Sequence, residues 1–164
     1  MSLVSSNRLW TTSESNSMKV TMATVQAVML SGRYRCGSLI RHWSKNSSGE
    51  CELSTSCKDT IEDLQHILQC CPALDNLRFK LLDFTYNYSL QLPLPLRNLL
   101  IRKCTPAYNG FCGFLLDSSA DPEVIVASQQ YGSLVLHHMF AVTRIWVYVI
   151  HRERLRKLGR WNPL

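Results

Sequence analysis

The strongest pattern in the chain is helical and lies near its end. Across residues 131–158, Val135, Met139, Val142, Trp146 and Val149 recur in steps of four and three, flanked by Leu136, Phe140, Val147 and Ile150. That spacing sets apolar side chains on one face of a long helix, and Glu153 and Arg156 close the seam. A second helix is predicted from Met18 towards Ser31, with Ser15 or Ser17 as its cap and Gly32 as its stop. Its buried side would carry Val20, Thr24, Ala27, Val28 and Met29. Residues 33–43 read as a short helix and residues 46–49 as a loop.

Thr60 then reads as the cap of a short helix through Ile61, Leu64 and Leu68. Pro72 ends it and opens the next helix, marked by Leu74, Leu77, Leu81 and Phe84. Residues 87–95 form a Leu/Pro linker, 96–102 a short helix and 106–117 an irregular stretch, and Asp121-Pro122-Glu123 starts another helix. No useful strand alternation and no internal repeat is present. The expected fold is therefore mainly α: a small helical domain with one Cys-Cys-His-Cys knuckle and a long C-terminal helix. The expected organisation is a disordered leader at 1–17, a helix and knuckle region at 18–86, linker and short helices at 87–130, and the long helix with its basic end at 131–164.

Composition narrows the function classes. The chain has 164 residues, 46% of them hydrophobic, enough for one domain with a core. Its 18 Lys and Arg against 12 Asp and Glu give a formal charge of +6, a moderate bias that suits a nucleic-acid partner without demanding one. The longest apolar run, 140–150, is short and is interrupted by Arg144, so no membrane partner is expected. The polar N-terminus lacks a signal-like apolar region, which predicts a cytoplasmic or nuclear location. Seven cysteines in that setting read as metal ligands or core residues before disulfides.

Four of those positions carry candidate chemistry. Cys51, Cys57 and His66, spaced by five and eight residues, are followed by the adjacent pair Cys70 and Cys71. Zn2+ takes four borderline or soft ligands in a tetrahedron, and short loops bring such ligands together. On an ideal helix Cys70 shares the face of His66, whereas Cys71 precedes Pro72, which turns its backbone out of the helix. Geometry leaves both open. The first gap is wider than in common zinc fingers, and cysteine is also a common core residue. A thiol nucleophile paired with His66 is the weaker reading, since no Asp or Asn is placed to orient the ring.

The run Met29-Leu30-Ser31-Gly32-Arg33-Tyr34-Arg35, then Leu39-Ile40-Arg41-His42-Trp43-Ser44, precedes this cluster. With Cys51, Cys57 and the ending His66-Ile67-Leu68-Gln69-Cys70-Cys71-Pro72, it resembles the C-terminal tail of non-LTR (LINE-type) retrotransposon reverse transcriptases. The resemblance is fullest over residues 18–80. It implies a zinc knuckle with Cys51, Cys57, His66 and Cys71 as ligands and Cys70 as a neighbour. Paired polymerase aspartates and an endonuclease constellation are absent from the sequence, so the expectation is a non-catalytic tail detached from the catalytic domains.

Two basic stretches complete the picture. Arg33, Arg35, Arg41 and Lys45 precede the knuckle, beside Tyr34, His42 and Trp43, and Arg152, Arg154, Arg156, Lys157 and Arg160 close the chain. Guanidinium groups pair with phosphates and exposed aromatics stack on bases, which makes these nine cations the expected RNA or DNA contacts. The rival expectation is a protein-interaction module. There zinc is purely structural and the C-terminal helix docks a reverse transcriptase body or another protein. A relic without function is the third.

Overall fold

The computed structural model describes residues 17–160. The proposed Ser15 cap and most of the leader lie outside the described residues. Seven α-helices are used below as landmarks. They are α1 (Ser17–Leu30), α2 (Gly37–Trp43), α3 (Asp75–Ser89), α4 (Leu94–Lys103), α5 (Phe111–Leu116), α6 (Pro122–Tyr131) and α7 (Leu134–Lys157). Among the described residues the only strand-like feature is an isolated antiparallel bridge between Glu50 and Ile61. The fold is mainly α, with the long C-terminal helix at its centre.

Helix α7 is central because its apolar seam is covered from several sides. Helices α1, α5 and α6 pack along it, and α3 with α4 forms a neighbouring hairpin. Val135, Met139, Val142, Trp146, Val147 and Ile150 are buried. By length and composition α7 could cross a membrane, but 56% of its apolar window is buried against the rest of the chain. The predicted start at residue 131 is three residues early. Gly132, with φ of 82°, ends α6 in a conformation that favours glycine and separates it from α7.

The predicted buried side of α1 is largely wrong. Val20, Thr24 and Val28 are exposed, and Ala23, Gln26 and Met29 are the buried positions. Gln26 explains the rotation: its Nε2 donates to Leu115 O at 2.5 Å and to Thr143 Oγ1 at 3.2 Å. A buried amide bonded through its nitrogen takes the place that an apolar residue was expected to fill. The supposedly irregular stretch 106–117 contains α5, whose Phe111, Phe114 and Leu115 enter the core. The predicted linker is shorter than expected, because α3 runs to Ser89 and α4 begins at Leu94. Asp121 behaves as predicted, its Oδ1 accepting from the backbone N–H of Glu123 and Val124.

A backbone crossing joins α2 to the cysteine region. A Cβ on Gly37 would lie 2.3 Å from Gly49 O and 3.0 Å from the Glu62 Cβ. Three distant segments therefore meet where only a hydrogen fits. Gly37→Ala is expected to cost about 2–3 kcal/mol as an overpacked backbone contact, read by urea unfolding of the metal-loaded protein. An unchanged midpoint would show that this crossing is loose.

Candidate metal centre

The loop from residue 51 to 71 is organised by local polar bonds rather than by a regular helix. Ser54 Oγ accepts from Ser56 N at 3.2 Å as a tight turn over Thr55–Cys57 brings Cys57 inward. Cys51 N donates to Thr60 O at 2.9 Å, so the two sides of the loop are tied together. Thr60 is not a helix cap, because Ile61 lies in the bridge with Glu50. Asp63 supplies the cap instead, its Oδ1 accepting from His66 N at 2.7 Å.

His66–Cys70 then form a widened, π-type turn, with Cys71 N donating to His66 O at 2.7 Å. This five-residue closure brings Cys71, rather than Cys70, back beside His66. Cys71 is fully buried and Cys70 is exposed. Pro72 follows and opens a short turn that leads directly into α3.

Arg78, one turn into α3, holds this turn from behind. Its guanidinium is buried, donates to the carbonyls of Ile67 at 3.3 Å and of Cys71, and pairs with Asp75 at 2.7 Å. Sequence reasoning missed Arg78, Asp63 and Glu62. The clue available for Arg78 was its place on the buried stripe of α3 between Leu74 and Leu81, where a cation needs partners.

The four candidate ligands converge. Cys51, Cys57, His66 and Cys71 are all buried, and their ligand atoms lie within 4.8 Å of one another. Cys71 Sγ is 3.8 Å from Cys51 Sγ and 3.7 Å from Cys57 Sγ. Sulfurs at the corners of a tetrahedron with metal bonds of about 2.3 Å are separated by about 3.8 Å. The spacing therefore matches a four-coordinate ion. His66 Nε2 is buried without a hydrogen-bond partner, an atom in need of an electrophile.

Local electrostatics agree with this donor set. Burial pushes the Cys51 thiol up and the Cys71 thiol to about 12, so neither readily carries a bare negative charge. Burial also lowers the His66 pKa, leaving its imidazole neutral and able to donate a lone pair. A bound cation offsets the cost of the buried thiolates and releases their protons. The cluster can hold a metal ion.

The nine predicted nucleic-acid contacts divide differently. Arg33, Arg35, Arg41, Lys45, Arg152, Arg156, Lys157 and Arg160 are exposed. Arg154 is not available to phosphate: it is 3% exposed and forms an ion pair with the buried Glu62. Its position on the inner side of α7 sends it into the protein. Arg156 forms a two-pronged pair with Glu153, both bonds 2.7 Å. Trp43 is 69% exposed, whereas Tyr34 is buried with its hydroxyl 2.9 Å from His151 Nδ1. The end of α7 meets the α2 region in a cleft of about 160 Å³ where Arg154 and Arg160 face Glu50, Glu52 and Glu62, while Arg152 and Arg156 line a separate cleft beside Leu77 of α3. No protein-family model, curated protein or solved structure matches this chain.

Proposed function

We propose that this chain is a non-catalytic nucleic-acid-binding tail whose fold is held by Zn2+ on Cys51, Cys57, His66 and Cys71. The observation that carries the metal half is the buried Cys3His set with tetrahedral sulfur spacing. Three thiolates and one imidazole favour Zn2+ over the hard cations, which take oxygen ligands. Four protein ligands fill the tetrahedron, and such closed sites are structural rather than catalytic.

The nucleic-acid half rests on the exposed Arg33, Arg35, Arg41 and Lys45, close in sequence to the exposed Trp43. Its resemblance to LINE-type reverse transcriptase tails points the same way. Glu50 and Glu52 share a cleft with Arg160, and Glu52 lies 4.0 Å from it, so phosphates would run along residues 33–45 rather than over the metal loop. The rival surface, the apolar seam of α7, is already occupied by the chain's own core.

Binding to RNA or DNA should fall steeply as salt rises, because each phosphate contact contributes about 0.7–0.9 to the logarithmic slope. Replacing Arg33, Arg35 and Lys45 together by Gln should flatten that slope by about 2–3 units, with little change in unfolding. Fluorescence anisotropy over a salt series measures it. An unchanged slope, or no binding to either nucleic acid at low salt, would refute the reading.

A further inference from the structure

Glu62 lies inside the metal loop, between Cys57 and His66, yet its bonds reach out of that loop. It is 3% exposed, and its Oε1 accepts from Gly37 N at 3.0 Å and from the Arg154 guanidinium. Its backbone carbonyl accepts from Ser38 N at 2.9 Å, and its backbone N–H donates to Gly49 O at 2.9 Å. One residue thus joins the start of α2, the loop after it and the last turns of α7.

Arg154 extends the connection. Its guanidinium carbon sits 5.4 Å from the Tyr34 ring centre, and Tyr34 is itself bonded to His151. With Tyr34 drawn inward, its neighbours Arg33 and Arg35 are exposed. The basic segment is therefore seated on α7 through a buried carboxylate supplied by the metal loop. A buried ion pair that loses one partner leaves an uncompensated charge, so this arrangement is strongly favoured to be complete or absent.

Arg78 braces the last turn of the metal loop, through the carbonyls of Ile67, Leu68 and Cys71. The loop's buried residues are the four ligands with Glu62, Ile67 and Leu68. Glu62 lies ahead of that brace, flanked by Cys57 and His66, so a cation would fix both ends of the stretch that carries it.

We propose that Glu62 is a positioning residue that makes the basic surface depend on metal occupancy, an inference that rests on the nucleic-acid reading for its functional consequence. Metal binding and nucleic-acid binding are then thermodynamically linked, each strengthening the other.

The test is amide hydrogen exchange on the full chain, read by mass spectrometry, alongside zinc competition and binding to a single-stranded RNA and a duplex DNA oligonucleotide. In the wild type, chelation should speed exchange across residues 33–49 together with 51–71. Zinc-loaded Glu62→Gln should keep its zinc and the protection of 51–71. Residues 33–49 should exchange about tenfold faster, with oligonucleotide affinity reduced by about tenfold. Arg154→Lys, which keeps the cation and leaves Glu62 intact, should shift exchange in 33–49 in the same direction and serves if the first variant does not fold.

Protection of 33–49 that survives chelation, or that survives in zinc-loaded Glu62→Gln, overturns the role of Glu62. Coupled exchange in a protein that binds neither oligonucleotide supports that role and overturns the nucleic-acid reading. Oligonucleotide binding unaffected by chelation does the reverse.

Discussion

Cys71→Ser is expected to weaken zinc retention by more than about a hundredfold, while Cys70→Ser changes it only a few-fold. The lower bound follows from outer-shell partners, whose loss alone costs about 10–100-fold in metal affinity. Cys71 Sγ stands between two other sulfurs at tetrahedral spacing, and Cys70 is exposed. Competition with a chromophoric chelator ranks the two variants. In the wild type, stripping the ion should abolish protease resistance across residues 51–71, because that loop contributes few core side chains beyond the ligands themselves. The opposite ranking of the cysteines would mean that the turn after His66 closes as an ordinary α-turn. Equal and small effects, with the loop still resistant after chelation, would make the four residues a plain buried cluster.

The candidate metal cluster and the long helix were readable because each is announced by spacing. Val135 to Val149 keep a helical rhythm, and the four ligands fall within a short stretch of chain. What spacing could not decide was the fourth ligand. The ideal helix offered Cys70, Pro72 and the resemblance offered Cys71, and the widened turn at 66–70 sets Cys71 in the cluster. Such a turn depends on bonds from Asp63 and Arg78 that the local pattern does not advertise.

Buried polar residues account for the other departures. Gln26 turned the expected face of α1, leaving only Met29 of the expected residues buried, and Arg154 left the basic stretch for an ion pair with Glu62, which is 92 positions away in the chain. Periodicity treats Gln, Glu and Arg as outward-facing, and only the tertiary partner converts them into inner ones. Gly132 is a different case. Its effect is local: it ends α6 and moves the start of α7 three residues past the expected 131.

The core offers the second large effect. Trp146 is fully buried at the centre of α7, with its ring edge-on to Phe111 at 5.5 Å between centres. Its indole N–H donates to Thr85 Oγ1 at 2.8 Å, linking α7 to α3. The hydroxyl of Thr85 in turn donates to Leu81 O at 2.8 Å, so the indole completes a satisfied chain of donors and acceptors. Trp146→Ala removes both the ring and that bond, and should cost about 3–5 kcal/mol as a large-to-small core change. Trp146→Phe keeps most of the ring volume and should cost less, with about 1 kcal/mol assigned to the missing hydrogen bond. Denaturant unfolding of the zinc-loaded variants separates the two. Because Trp146 supplies no metal ligand, zinc affinity of the folded protein should stay near that of the wild type. A stability loss below about 1 kcal/mol for the alanine variant would mean that α7 is not the keystone of this fold. The burial of its seam would then reflect a looser association of helices.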